Sequence, residues 1–193
     1  VAIPTCADLT GLILAGGRGR RMAGADKGLV LWQGAPLLVH VLRRLQPQVA
    51  QVLISANRNL ERYRAWAPVV ADADPAAFDG PLAGIGAALP LLAHDWLAIV
   101  PCDLPHLPTD AFARLAAGLR GAPAAHAVAG ERHTLVCLVH RSAAEELAAR
   151  RAGDDRRVHG WLAAIGSRPV PFADSAGFAN FNTAAELDAA ERR

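Results

Sequence analysis

"LILAGGRGRRMAGADK", residues Leu12 to Lys27, carries four apolar residues into a glycine pair and then gathers Arg18, Arg20, Arg21 and Lys27. A short apolar run that stops on glycine reads as a buried strand, here extended back as "LTGLILA", Leu9 to Ala15. The loop then leaves the carboxyl end of that strand, the edge where open α/β sheets bind ligands. Gly16, Gly17 and Gly19 let backbone N–H groups approach an anion, because no Cβ stands in the way. Arginine forks match phosphate oxygens in pairs. Two common phosphate loops fail by letter. A Walker A loop needs Ser or Thr after its lysine, and Lys27 is followed by Gly28. A dinucleotide fingerprint starting at Gly17 needs a small residue at position 22, which is Met22.

Working outward, "PLLVHVLRRL" (Pro36–Leu45) has helical spacing, with proline at its start and arginines near its end. "QVLISA" (Gln51–Ala56), "APVVAD" (Ala67–Asp72) and "WLAIVPCD" (Trp96–Asp103) read as strands. "PLAGIGAALPLLA" (Pro81–Ala93) and "TDAFARLAAGL" (Thr109–Leu119) read as helices, the first weakened by its glycines and Pro90. The apolar runs lack period-two alternation, as expected of strands buried on both faces of a parallel sheet. Beyond Gly121, "AAHAVAG" and "TLVCLVH" look like strands, and "AAEELAARRA" and "RVHGWLAAIG" like helices. "RPVPF" fits an edge strand, because its prolines remove ladder donors. "TAAELDAAERR" opens with Thr183 and Glu186 at capping-box spacing.

The 193 residues fit one domain, with no repeat and no low-complexity linker. A net charge of +2 is too mild for a nucleic-acid binder but leaves room for a small anionic ligand. Cys6, Cys102 and Cys137 form no CxxC, which argues against structural zinc and for a reducing compartment. "VAIPTCADLT" lacks the basic and apolar regions of a signal peptide. No apolar run approaches the roughly 18 residues of a membrane span. These features together predict a cytoplasmic protein with neither membrane nor nucleic-acid partners.

Asp103 follows a strand in "PCDLP", where a carboxylate can hold a divalent cation or make an Asx-type turn before Pro105. Asn57 can meet a nucleotide with both donor and acceptor, or cap a helix; Asp72 can contact a nucleotide or simply end its strand. "GPLAG" (Gly80–Gly84) can admit a flat base or pack a helix tightly on the sheet. Cys102 lies at the end of a buried strand and is a poor candidate for a nucleophile.

The glycine-arginine stretch resembles the L-A-[AG]-G-x-[GS]-x-R-M signature, leading on to a lysine, of the nucleotidyltransferases. Leu14, Ala15, Gly16, Gly17, Gly19, Arg21, Met22 and Lys27 match it. "ISANRN", "DGPLAGI", "VPCDLP" and "NFNTAAEL" follow in the order seen in the molybdenum cofactor guanylyltransferase family. The resemblance covers nearly the whole chain. It implies a single-domain, three-layer Rossmann-like α/β fold over residues 1–193, with a mostly parallel central sheet. The N-terminal half would bind nucleotide and the C-terminal half the acceptor. It implies transfer of GMP from GTP to the terminal phosphate of molybdopterin, with Mg²⁺ as cofactor. Molybdenum-insertion proteins and molybdoenzyme chaperones are the protein partners it implies.

Residue by residue, the resemblance makes Lys27, Asp103 and Arg21 catalytic, with Asp103 the metal ligand. Leu14, Ala15, Gly16, Gly17, Lys27, Asn57, Asp72, Gly80 and Asp103 become nucleotide contacts. Asn180 and Asn182 match the segment near the pterin end, and Arg156 and Arg157 lie in a stretch like the family's basic acceptor loop. One departure stands out: where the family pattern has a proline, His133 is followed directly by Thr134. Three other readings share some of these features. They are a cytidylyl-transferring relative with the same acceptor, a sugar-phosphate nucleotidyltransferase, and a nucleotide-binding module without catalysis.

Overall fold

A computed structural model describes residues 3–17, 25–72, 74, 80–153 and 157–181. Strand β1 (Leu9–Leu14) is buried for almost its whole length, and the chain leaves it through the glycines at 16 and 17. A small hairpin follows, β2 (Leu31–Trp32) and β3 (Ala35–Pro36), turned by Gln33 and Gly34 at φ 47° and 75°. Helix α1 (Leu37–Leu45) buries Leu37, Leu38, Val41 and Leu45 along one stripe. Next come β4 (Gln51–Ser55), the short helix α2 (Leu60–Arg64) and β5 (Val69–Val70). Helix α3 (Pro81–Ala88) leads to β6 (Trp96–Pro101) and α4 (Ala111–Gly118). The remaining elements are β7 (Ala124–Ala129), β8 (Glu131–His140), α5 (Ala144–Ala152), α6 (Val158–Ala164) and β9 (Arg168–Pro171).

Seven strands form one sheet in the order β5-β4-β1-β6-β8-β7-β9. The β5-β4-β1-β6 half is parallel throughout, with Leu12 beside Leu53 on one side and Ile99 on the other. Strand β8 runs antiparallel to both β6 and β7, and β9 returns parallel to β7 at the edge. Alternate residues feed opposite faces. Leu9, Ile13, Ile54, Ala98 and Val100 pack with α1, α2 and α4 residues such as Val41, Tyr63 and Phe112. Leu12, Leu53, Leu97 and Ile99 pack with Ile85, Leu147 and Trp161 from α3, α5 and α6. This is the mostly parallel three-layer α/β architecture expected from the apolar runs.

Some boundaries differ from the sequence reading, and each difference has a physical cause. The strand expected over Ala67–Asp72 pairs only at Val69 and Val70, since it lies at the sheet edge with a single neighbour. The helix expected to Ala93 stops at Ala88 and tightens into a 3₁₀ turn at Leu89–Leu91, where Pro90 cannot donate. The hairpin and α2 carry too few residues to show a period. Arg18, Gly19, Arg20, Arg21, Met22, Arg156, Asn182 and the expected terminal helix from Thr183 lie outside the described residues.

Candidate active site

Strand order reverses at β1: the chain runs from it through α1 and α2, on one face, to β4 and β5 on one side, and crosses by α3, on the other face, to β6 on its other side. That divergence opens a crevice. Its floor is stitched by backbone bonds: Ala15 N–H donates to Ser55 O at 2.7 Å and Cys102 N–H to Leu14 O at 3.1 Å. The crevice holds a cavity of about 280 Å³. Leu14, Ala15, Gly16, Gly17, Lys27, Asp72, Gly80 and Asp103, all singled out from sequence, line it.

Lys27 opens a 3₁₀ turn, Lys27–Leu29, and its Nζ forms an ion pair with Asp103 Oδ2. Both side chains are largely buried, at 22% and 11% exposure, so solvent screens the pair less than it would on the surface. Asp103 Oδ1 is buried without a hydrogen-bond partner among the described residues, and so is Asp72 Oδ1. A buried carboxylate oxygen left alone costs about 1–3 kcal/mol, so each of these oxygens is poised for a donor or a cation.

Asn57 grips Asp72 at both ends. Its Nδ2 donates to Asp72 Oδ2 at 2.6 Å, and the Asp72 N–H donates to Asn57 Oδ1 at 2.9 Å. Asn57 therefore stands behind Asp72 and sets its orientation, while Asp72 itself lines the cavity. Next in sequence, Arg58 Nη2 donates to Gly17 O at 3.1 Å and so ties down the described end of the glycine loop.

Gly80 takes φ +77° as it turns the chain into α3, a conformation that favours glycine. A Cβ on Gly17 would meet nothing within 4 Å, so described neighbours do not demand glycine there. The space in front of it is open for a ligand. Gly84, by contrast, is required by close packing: its Cβ would fall 2.2 Å from Ser55 Oγ.

Asn180 lies exposed, outside the cavity lining. Its neighbour Phe181 nonetheless brings that segment to the site, since Phe181 N–H donates to Asp103 O at 3.2 Å. The Phe181 ring packs on Trp32, with centroids 5.3 Å apart, and Trp32 also meets His40 and His106 edge-on. His133 packs its ring on Phe178 and sits 3.3 Å from Ala129 O through Nε2. Cys102 is fully buried, and that burial, with the Asp103 carboxylate beside it, pushes its thiol well above the usual range. A protonated thiol is not a nucleophile.

Sequence reasoning missed the cavity contributions of Ser55, Pro101 and Leu135. Ser55 and Pro101 end the strands flanking β1, so strand order rather than residue type marks them. Leu135 comes from β8, which reaches β6 only through antiparallel pairing.

Glycine amides, a lysine and two carboxylates line this crevice, where strand order reverses in a parallel sheet. That arrangement defines an α/β protein whose crevice suits a phosphate-bearing ligand. The model of the MobA-like NTP transferase domain matches residues 11–168. The chain is 46% identical to the molybdenum cofactor guanylyltransferase of Ralstonia nicotianae, over 99% of this chain and 100% of that protein. It is 45% identical to that of Cupriavidus taiwanensis, over 96% and 98%. The crystal structure of molybdopterin-guanine dinucleotide biosynthesis protein A from Archaeoglobus fulgidus shares the fold, with a TM-score of 0.78 at 23% identity. That likeness covers 95% of this chain and 97% of the other. The chain belongs to the MobA-like NTP transferase family.

Proposed function

We propose that this protein transfers GMP from GTP to the terminal phosphate of molybdopterin and releases pyrophosphate. The observation that carries the reading is the buried Lys27–Asp103 pair, with Asp103 Oδ1 without a partner among the described residues, lining the same cavity as Gly16 and Gly17. Relatives named for this activity at about 45% identity over nearly the full chain support it.

An acceptor phosphate oxygen attacks the α-phosphorus, and the bond from that phosphorus to the bridging oxygen of pyrophosphate breaks. The attacking oxygen is already anionic near neutral pH, so no strong general base is required. The chain's work is positioning and charge stabilisation. Lys27, Arg21 and the Gly16–Gly17 amides take the phosphates. Asp72, oriented by Asn57, and the backbone around Leu14, Ala15 and Gly80 take the nucleoside. Asn180 and Asn182, from the C-terminal half, take the pterin end.

Asp103 would hold Mg²⁺ through its buried Oδ1 at the cavity. Mg²⁺ is commonly held by one or two carboxylates plus substrate phosphates, which fits this donor set. When bound, the ion supplies charge neutralisation at the phosphates as pyrophosphate leaves.

We place the reaction in the cytoplasm, a reading supported by the three free thiols. Among the described residues no helix is long and apolar enough to cross a membrane. The test is pyrophosphate release from GTP in the presence of molybdopterin. Release should require both substrates, stop on addition of a chelator and return with excess Mg²⁺; release that ignores the chelator would overturn the metal assignment.

A further inference from the structure

Asp26 occupies the N-cap position of the turn that begins with Lys27, where an aspartate ordinarily accepts from the turn's own amides. It makes no such bond. Its two carboxylate oxygens go instead to α2. Tyr63 Oη donates to Asp26 Oδ1, and Asn59 Nδ2 donates to Asp26 Oδ2 at 2.9 Å. Asn59 is the residue that opens α2 and Tyr63 lies within it, so both donors come from one end of one element.

The surroundings are shaped to this contact. Tyr63 is fully buried, and its hydroxyl passes so close to Gly28 that a Cβ there would lie 2.6 Å from it. Burial and the Asp26 carboxylate push the Tyr63 phenol well above its usual range, which keeps it a donor. Asn59 holds φ 51°, a left-handed conformation that Asn adopts more readily than most residues. Strained backbone of this kind persists where its surroundings over-determine it.

We propose that Asn59 and Tyr63, acting through Asp26, are positioning residues for Lys27 that hold its turn at the cavity edge so that the ammonium meets the triphosphate. The proposal rests on the nucleotide reading of Lys27. Asp26 is bound through both oxygens to an element anchored in the core, so the backbone entering Lys27 has little freedom. The lysine's reach is then set from α2 and not by its own flexible stem. Together with Asn57 on Asp72 and Arg58 on Gly17, the three residues 57–59 tie down three separate segments of the site.

A double-mutant cycle tests this with two readouts, GTP affinity by calorimetry without acceptor and single-turnover GMP transfer. Tyr63→Phe should weaken GTP binding about threefold and slow transfer about tenfold, and should do neither once Lys27→Ala is present, since interacting residues are non-additive. The acceptor KM should stay within about twofold of wild type, because the lost contact acts on the nucleotide side. The exchange Asp26→Asn with Asn59→Asp keeps the Tyr63 hydroxyl donating to residue 26 and reverses only the bond between residues 26 and 59, and it should recover affinity and rate relative to Asn59→Asp alone, in which two carboxylates face each other.

Equal losses from Tyr63→Phe in the wild-type and Lys27→Ala backgrounds would show that the clamp serves only the fold, and would overturn the proposal. An exchange variant that melts like wild type yet binds GTP no better than Asn59→Asp would also overturn it. If the wild type binds GTP but transfers nothing, the guanylyl reading fails, and the affinity cycle still decides the clamp.

Discussion

Asp103 gives one carboxylate oxygen to Lys27 and keeps the other buried, without a partner among the described residues. In the proposed reaction that spare oxygen takes the cation that arrives with the substrate. Asp103→Asn preserves the shape and removes the charge. It should lower kcat by about a hundredfold or more, the scale of a lost electrostatic stabiliser, in a GMP-transfer assay. A rate within a few-fold of wild type would contradict the metal role. That Asp103 and Lys27 line one crevice was legible from their places after apolar strands, while their roles rest on the resemblance to the nucleotidyltransferases. Asp26 and Tyr63 were not legible, because they are 37 residues apart and meet only when α2 docks. Asn57 was legible as a site residue, but its grip on Asp72 spans two strand ends and carries no local signal.

Helix α3 lies so close to β4 that Gly84 has no room for a methyl group: the added Cβ would stand 2.2 Å from Ser55 Oγ and 3.1 Å from Ser55 Cβ. Helix propensity favours alanine over glycine by about 1 kcal/mol, while forcing a methyl into a filled space costs about 1–3 kcal/mol. The packing term should win. Gly84→Ala should lower Tm by a few degrees, at about 2–4 °C per kcal/mol for a chain of this size, and should weaken GTP binding because Ser55 and Gly84 both line the cavity. An unchanged Tm with unchanged affinity would mean that α3 shifts freely on the sheet. Strands β1, β4 and β6 were legible as strands because both their faces are buried and their apolar runs are unbroken. The β2–β3 hairpin was not, since two-residue strands have no period and its Gln33–Gly34 turn lacks the usual Asn or Asp signal.

Seven strands divide the protein into a parallel half that builds the crevice and an antiparallel half that supports it from β8 outward. Segments far apart in sequence meet at Asp103. Strand β1 opens the nucleotide side, and Phe181 returns from the C-terminal segment to bond the Asp103 carbonyl and pack against Trp32 in the hairpin. The segment carrying Asn180 is thereby tied to the Asp103 backbone, and in the proposed reaction it brings the acceptor to the nucleotide. The alternation of strands and helices made this architecture legible in outline. The antiparallel insertion of β8 between β6 and β7 was not legible, because pairing order depends on partners distant in sequence. The proposed task of this crevice is to move GMP from GTP to molybdopterin. The most direct measurement follows label from α-labelled GTP, and in parallel from α-labelled CTP, onto molybdopterin in the presence of Mg²⁺. Label should move from GTP to the pterin, with CTP a much poorer donor; transfer from CTP in preference to GTP, or from neither onto an intact acceptor, would contradict the guanylyl reading.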